Sequence, residues 1–353
     1  MLIKSSIRIY KLSFCDKNAV IKHLKAHDFY IVDEKILSLY SDLFENIDKS
    51  KILPVKAIES SKSFQKCERY LTFLIKSGLK RGQKIAGIGG GIIHDITGFV
   101  SSIIYRGVVW SYFPTTLLAQ CDSCIGGKTS INYLGYKNLI GNFNPPDQIY
   151  VDVNFLKTLE EKDVQSGIGE IIKVAMIDRN QTISEEEIIE SIEKSQVSSS
   201  LIKKSLEIKR KIIQVDEFDK NVRNVMNYGH TFGHAIESTT NNIIPHGIAV
   251  GIGICIANII SEKINNFSLE DKFKNITYKY LKANKKHVKN FISMYNKKCY
   301  IDSLLKDKKN TNNNSITCIL PFGLGNIRKV NVDKSYFDKN IDKIIEEIYA
   351  NTI

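Results

Sequence analysis

The sequence predicts a chain of two parts, an α/β part followed by a mostly α-helical part. Up to about Asp163, short apolar runs alternate with segments of helical periodicity, which is the pattern of strands joined by helices. After about Gly167, long segments with apolar residues three and four positions apart follow one another. We therefore predict an α/β domain over residues 1–163 and an α-helical domain over residues 164–353.

In the first part, apolar runs bounded by turn residues predict strands, and apolar spacing predicts the helices between them. The predicted strands are Phe29–Val32, Ile52–Ile58, Lys84–Ile88, Val108–Phe113 and Gln148–Val153. The predicted helices are Ile36–Leu43, Cys67–Ser77 and a run that ends in Phe99–Ile104. This alternation is typical of a βα-type domain.

In the second part, helical spacing predicts a series of long helices. These are Ile168–Ile177, Ser184–Lys194, Ser198–Val215, Thr231–Thr239 and Ile248–Lys263. A lysine- and asparagine-rich run, Lys306–Ser315, indicates a solvated loop before a strand at Ile316–Leu320. The tail places four isoleucines of Ile341–Tyr349 on one helical face, which is more often core than a partner surface.

Composition and charge indicate a globular protein with an anionic partner. The chain is 43% apolar and carries a formal net charge of +12. Basic and aromatic residues are not interleaved as they are on nucleic-acid-binding surfaces, so we expect a phosphorylated or carboxylated small molecule and no nucleic acid. Abundant lysine also arises from compositional bias, in which case the charge marks only a solvated surface.

Cysteine usage and apolar runs indicate a cytoplasmic protein. The seven cysteines have no repeated spacing, which excludes a secreted disulfide framework, and Cys121-x-x-Cys124 lacks a second pair of the same kind. The first residues show no signal-peptide core followed by a cleavage site. The longest apolar run, Ile248–Ile260, has 13 residues and is too short to span a bilayer. We expect no membrane partner.

Three consecutive glycines follow the predicted strand Lys84–Ile88 and precede a helix. A strand, a glycine turn and a helix start together form an anion cradle, because backbone N–H groups and the helix dipole face the turn. The stretch departs from G-x-G-x-x-G at its last position, where His94 replaces glycine. It indicates either a dinucleotide site or an ordinary strand–helix turn.

Two further groups of residues carry chemistry. His230 and His234 are four positions apart on one predicted helix face, and His246 and Glu170 also lie in glycine-flanked segments. Two imidazoles and a carboxylate form a common catalytic metal set, although a single histidine is more often a core residue. Glycine-backed lysines and arginines suit phosphate and carboxylate oxygens, although most of the 50 basic residues are solvated surface charges.

The motifs together resemble the 3-dehydroquinate synthases, within the sugar-phosphate cyclases. The resemblance runs from about Phe29 to Gly325 and rests on an ordered set of short motifs. These include GGGIIHD, YRG, PTTLLAQ, GGKT, KNLIG, GEIIK and RNVMNYGHTFGHAIE. The resemblance implies a Rossmann-like NAD-binding domain, a mostly α-helical metal-binding domain, an active site in the cleft between them, and a homodimer.

The implied reaction converts 3-deoxy-D-arabino-heptulosonate 7-phosphate into 3-dehydroquinate and phosphate. NAD+ transiently oxidises a ring hydroxyl, the new ketone acidifies the neighbouring C–H so that phosphate leaves, and the hydride is returned. Ring opening and an internal aldol closure then form the carbocycle. This chemistry needs a Lewis acid on the hydroxyl and cations around the phosphate.

The resemblance also implies roles for individual residues. The metal ligands, for zinc or alternatively cobalt, would be Glu170, His230 and His246. The substrate pocket would contain Asp122, Lys128, Lys173, Lys209, Arg223, Asn227, His234, Asn138 and either Lys308 or Lys309, with Arg106 reaching the phosphate of the neighbouring subunit. Cofactor contacts would come from Asp33, Glu59, Lys62, Gly91, Ile92, Ile93, His94, Asp95, Thr115, Thr116, Lys128, Lys137, Phe155, Leu156, Lys157 and Thr158.

The chain departs from the family pattern at four positions. His94 replaces a glycine beside the NAD pyrophosphate, where we expect its ring to donate a hydrogen bond to the phosphates. Ile248 replaces the glutamate of the usual HGEAV, which removes a carboxylate next to His246. Lys35 and Cys124 replace an asparagine and a serine. Three alternatives stay open: a cyclase for another sugar phosphate such as sedoheptulose 7-phosphate, a non-catalytic relic, and a metal-dependent alcohol dehydrogenase.

Overall fold

The computed structural model describes residues 1–266, 268–306 and 314–353. Within them the chain forms two compact units, Met1–Leu159 and Glu160–Ile353. The predicted boundary after residue 163 falls inside the first helix of the second unit. Lys308 and Lys309 lie outside the described residues.

The first unit is a seven-stranded sheet with helices and a separate hairpin. In chain order its elements are β1 (Leu2–Ile3), β2 (Tyr10–Phe14), α1 (Lys17–Leu24), β3 (Phe29–Asp33), α2 (Glu34–Leu39), β4 (Ile52–Val55), α3 (Phe64–Lys76), β5 (Lys84–Gly89), α4 (Gly91–Ile103), β6 (Val109–Pro114), β7 (Lys128–Tyr133), β8 (Tyr136–Phe143) and β9 (Gln148–Val151). The sheet order is β1-β2-β9-β6-β5-β3-β4, and every neighbouring pair except β1–β2 is parallel.

The order of the strands creates a crevice at one edge of this sheet. From β3 the chain moves outward to β4, returns to β5 on the other side of β3, and continues to β6. The strand order therefore reverses between β3 and β5, and ligands of open α/β sheets bind outside the carboxyl ends of strands at such a point. The ends concerned are Asp33 and Gly89.

The hairpin of β7 and β8 was absent from the sequence prediction. Leu134 and Gly135 connect the strands, both with positive φ, at 49° and 79°. Two central residues with positive φ fit the right-handed twist of a two-residue hairpin, but leucine is rare there. A Leu-Gly turn therefore lacks the usual asparagine or aspartate signal.

The second unit is mostly helical. Its elements are α5 (Glu161–Ile177), α6 (Glu185–Lys194), α7 (Ser199–Val215), α8 (His230–Thr239), α9 (His246–Asn265), α10 (Asp271–Ala283), α11 (Lys285–Met294), α12 (Lys297–Leu305), β10 (Ser315–Pro321), β11 (Ile327–Asp333) and α13 (Lys334–Thr352). β10 and β11 form an antiparallel pair. Among the described residues α9 alone is long and apolar enough to cross a membrane, yet 83% of its apolar window is buried, as in a core helix.

Candidate active site

Glycines bring α5 and α9 into backbone contact beside two predicted metal ligands. A Cβ atom at Gly169 would lie 2.0 Å from the carbonyl oxygen of Gly247, and one at Gly247 would lie 1.7 Å from that of Ser166. No side chain fits at either position. Glu170 follows the first glycine in the chain and His246 precedes the second, so this crossing carries both side chains to one place.

A second glycine contact positions His230. Gly229 caps α8 with φ +77°, and a Cβ atom there would lie 2.6 Å from the carbonyl oxygen of Val250 on α9. The next residue, His230, begins α8. Three helices therefore meet at glycines adjacent to the three predicted ligands, which explains why the histidines lie in glycine-rich sequence.

The ligand atoms of Glu170, His230 and His246 all lie within 4.8 Å of one another. Oε1 of Glu170 is 3.6 Å from Nε2 of His230 and 3.3 Å from Nε2 of His246. Glu170 is 1% exposed, and its other oxygen is bonded by the buried ammonium of Lys173. One carboxylate and two imidazoles are a typical set for a catalytic divalent metal, since they leave coordination positions open.

The second nitrogen of each imidazole also has an acceptor. Nδ1 of His230 lies 3.3 Å from the carbonyl oxygen of Tyr228, and Nδ1 of His246 lies 3.0 Å from Oε2 of Glu237. Burial lowers the pKa of His246, but the carboxylates of Glu237 and Glu170 outweigh it and raise this pKa to about 10. The two carboxylates therefore favour positive charge at this imidazole.

Buried cations and two polar side chains complete the predicted pocket residues of this unit. Lys173, Lys209 and Arg223 are 2%, 7% and 4% exposed. Asn227 is half-buried and donates to the carbonyl oxygen of Asn224. His234 is exposed, with its ring stacked 5.9 Å from that of His246. Ammonium and guanidinium groups this buried are costly, so an anionic ligand would stabilise them.

The loop that carries Arg223 is held by one carboxylate. Asp216, at the end of α7, accepts from the backbone N–H groups of Lys220, Asn221 and Arg223 at 2.7–3.0 Å. Burial raises the pKa of Asp216, but these three donors outweigh it and lower the pKa below its usual value.

In the first unit, the glycine turn stands at the edge where the strand order reverses. A Cβ atom at Gly90 would lie 2.9 Å from Cγ2 of Thr116, and Thr115 donates its backbone N–H to the carbonyl oxygen of Gly89 at 3.0 Å. Gly91 begins the 13-residue helix α4, whose first N–H groups face the turn. Asp33 ends β3 beside this turn, and burial raises its pKa. The glycine turn and the N-terminus of α4 therefore have the geometry of an anion-binding turn.

A buried polar network links four more predicted cofactor and substrate residues. Nζ of Lys62 lies 2.5 Å from Oδ2 of Asp95, 2.7 Å from Oδ1 of Asn138 and 3.9 Å from Oε1 of Glu59. Asn132 donates to Glu59 at 2.7 Å and accepts from the backbone of Asn138 at 2.9 Å. Lys62 is 4% exposed. The network fastens the β7–β8 hairpin to α4, and Asn132 is a member that sequence reasoning missed.

His94 lies in the core and not at the turn surface. Its ring is 2% exposed and packs edge-on against Tyr112 and Trp110 of β6, with centroids 4.8 Å and 5.4 Å away. Its Nε2 is buried without a hydrogen-bond partner among the described residues. The hydrogen bond to the cofactor phosphates stays a prediction, and it would require the ring to leave this packing.

The remaining predicted residues are spread over the first unit. Asp122 is buried in a π-helical turn, Ala119–Ser123, a distortion often found at functional sites. Arg106 is exposed with φ +63°. Lys128 and Lys137 are exposed, on β7 and β8. Phe155 packs in the core, and the hydroxyl of Thr158 lies 2.9 Å from that of Tyr40. No contact among the residues that the structure describes assigns a function to the other predicted cofactor residues, which are Ile92, Ile93, Leu156 and Lys157.

Comparison with known proteins identifies the family. Residues 52–166 match the family model of the 3-dehydroquinate synthase N-terminal domain, and residues 167–310 match that of its C-terminal domain. A 3-dehydroquinate synthase of Clostridium tetani (strain Massachusetts / E88) is 38% identical over 328 residues, which cover 90% of this chain and 85% of the relative.

Solved structures share the fold. 2-Deoxy-scyllo-inosose synthase, complexed with carbaglucose-6-phosphate, NAD+ and Co2+, has a TM-score of 0.84 at 22% identity, covering 98% of this chain and 99% of its own. 2-Epi-5-epi-valiolone synthase from Streptomyces hygroscopicus subsp. jinggangensis 5008, with NAD+ and Zn2+ bound, has a TM-score of 0.80 at 20% identity, covering 98% and 99%.

The fold is thus that of the sugar-phosphate cyclases, with an α/β unit and a mostly helical unit. Within that class, the chain belongs to the 3-dehydroquinate synthase family. It is an enzyme of the phosphate-eliminating, carbon–oxygen lyase type. The predictions of family, fold class and enzyme class are confirmed, and the roles of individual site residues stay predictions.

Proposed function

We propose that the enzyme converts 3-deoxy-D-arabino-heptulosonate 7-phosphate into 3-dehydroquinate and phosphate with NAD and a divalent metal as cofactors. The observation that carries the proposal is the buried cluster of Glu170, His230 and His246, with the cation Lys173 at its edge. It supports this reaction because a Lewis acid and buried cations are what a phosphate-eliminating cyclase needs.

The residues present fit a divalent metal. Two imidazole nitrogens and one carboxylate oxygen converge within 4.8 Å, and each imidazole is held by a hydrogen bond through its other nitrogen. When bound, the metal would supply Lewis acidity to a substrate hydroxyl. We propose zinc, with cobalt as the alternative, because both suit nitrogen and oxygen ligands and each occurs in a cyclase of this fold.

The residues present also fit NAD. Gly90 of the β5–α4 turn leaves no room for a side chain against Thr116, and the glycines on either side of it also carry none, so that the backbone can approach a pyrophosphate. Asp33 lies at the end of the neighbouring strand, where an acidic residue can accept from a ribose hydroxyl. When bound, NAD would take up a hydride from the substrate and return it.

The chain's own side chains would bind and orient the substrate. Lys209 and Arg223 would hold the phosphate or carboxylate, with arginine able to bind two oxygens at once. Lys173, bonded to Glu170, would place a proton donor beside the hydroxyl of the substrate. Asn227 and His234 would contact the hydroxyl groups of the substrate.

We further propose a homodimer in the cytoplasm. The exposed guanidinium of Arg106 lies in a turn with two residues of positive φ, Tyr105 and Arg106, and such strain often marks a functional position. It would reach the phosphate of the partner's substrate. All seven cysteines are free thiols, in keeping with a reducing compartment.

A substrate comparison tests the proposal. Purified enzyme with NAD+ and Zn2+ should release phosphate from the heptulosonate 7-phosphate and not from sedoheptulose 7-phosphate or glucose 6-phosphate. Release of phosphate only from sedoheptulose 7-phosphate or glucose 6-phosphate, which have no carboxylate, would assign the enzyme to another cyclase activity. A correctly folded protein without turnover of any of them would contradict the enzymatic proposal.

A further inference from the structure

His246 lies between two carboxylates, one on each side of its imidazole ring. Nε2 is 3.3 Å from Oε1 of Glu170, and Nδ1 is 3.0 Å from Oε2 of Glu237. A neutral imidazole has one N–H donor and one lone pair. If Nδ1–H donates to Glu237, the lone pair is on Nε2 and points toward Glu170, as the proposed metal site requires.

Glu237 reaches His246 from a different helix. It lies on α8, seven residues after His230, so the two side chains share a helix face. Its side chain is 11% exposed, and a carboxylate this buried needs hydrogen-bond donors. The residue two positions after His246 is the fully buried Ile248, which offers no polar atom. His246 therefore has a carboxylate partner, Glu237, although position 248 has no glutamate. The sequence alone had led us to expect that His246 lacks such a partner.

We propose that Glu237 is a positioning residue of the metal centre. By accepting the Nδ1–H of His246 it fixes the tautomer and the orientation of the ring and makes Nε2 a stronger ligand. The inference rests on the proposed metal site of Glu170, His230 and His246. A competing assignment makes Glu237 itself a ligand, because the ligand atoms of His234, Glu237 and His246 also lie within 4.8 Å of one another.

The test is a zinc titration of chelator-treated protein, with a chromogenic chelator as competitor. Glu237→Gln keeps an acceptor but removes the charge, and Glu237→Leu removes both. Both variants should still bind zinc with the stoichiometry of the parent. We expect the dissociation constant to rise about 10-fold for glutamine and toward about 100-fold for leucine. At saturating Co2+, the visible spectrum of Glu237→Gln should match that of the parent, because the ligands are unchanged.

Glu262→Gln is the matched control. Glu262 lies on α9, as His246 does, its side chain is 22% exposed, and it accepts from the backbone N–H of Leu269 at 2.7 Å. It is 16 residues further along, or about 24 Å at 1.5 Å per residue. This variant removes a similar charge from the same unit and should bind zinc as the parent does.

Two results would overturn the inference while leaving the proposed metal site intact. One is an unchanged zinc affinity in folded Glu237→Leu, since a purely structural role would alter stability and not affinity. The other is loss of zinc from Glu237→Gln as complete as from Glu170→Gln, which would make Glu237 a ligand. A parent enzyme that binds no zinc or cobalt would instead refute the metal site and this inference together.

Discussion

Replacing Lys62 by methionine would test the buried polar network of the first unit. The ammonium of Lys62 lies 2.5 Å from Asp95 and 2.7 Å from Asn138. Burial raises the pKa of Asp95, but His94 and Lys62 outweigh it and hold this pKa below its usual value. Methionine fills most of the space of the lysine stem and leaves the Asp95 carboxylate without its ammonium partner.

The expected loss of stability follows from the burial of the pair. Removing one partner of a fully buried ion pair costs about 3–5 kcal/mol, because the other charge stays desolvated. The side chain of Asp95 is 19% exposed, so water recovers part of its solvation. We therefore expect the free energy of unfolding to fall by about 2–3 kcal/mol.

The assay is urea unfolding followed by tryptophan fluorescence. The chain has one tryptophan, Trp110, which is fully buried in β6, so the signal reports on this unit alone. Lys17→Met is the control, because Lys17 and Asp42 form an exposed ion pair in the same unit that should contribute nothing measurable. An unfolding midpoint of Lys62→Met equal to that of the parent would show that the buried pair of Lys62 and Asp95 does not stabilise this unit.

Three other substitutions address separate parts of the structure. Gly247→Ala should abolish zinc binding or folding of the second unit, since its Cβ would lie 1.7 Å from the carbonyl oxygen of Ser166; normal zinc binding would contradict the glycine contact. His94→Phe should bind NAD as the parent does, because the ring packs in the core against Trp110 and Tyr112; weaker NAD binding would support the predicted hydrogen bond to the phosphates. Asp216→Ala should raise KM about 10- to 100-fold at unchanged thermal stability, because the loop carrying Arg223 loses its acceptor; an unchanged KM would exclude this role.

Local signals were sufficient for much of the fold. The strand Lys84–Ile88 and the helix after the glycines appear as β5 and α4, because a buried apolar run and a glycine turn determine both locally. The glycine-flanked histidines were predicted to form a metal set, and the structure brings His230 and His246 together with Glu170. Glycines at helix crossings are visible in the sequence beside these ligands, so this cluster could be predicted.

Other features depend on contacts that no local pattern records. The β7–β8 hairpin turns at Leu134, where φ is +49° and the residue type gives no turn signal. The ring of His94 is placed by Trp110 and Tyr112, which belong to a different strand. Glu237 reaches His246 because α8 and α9 cross. From the sequence, the carboxylate partner of His246 was expected at position 248, which is an isoleucine in this chain. In each case tertiary packing decides the environment of the side chain.

The ratio of phosphate to NADH during turnover distinguishes a cyclase from a dehydrogenase. Enzyme, NAD+, Zn2+ and 3-deoxy-D-arabino-heptulosonate 7-phosphate are mixed, and phosphate and NADH absorbance are followed together. We expect one phosphate and one 3-dehydroquinate for each substrate consumed, with no accumulation of NADH and no activity in His230→Ala. NADH that rises in step with substrate consumption would contradict this expectation, because the enzyme would then be a dehydrogenase and not a cyclase.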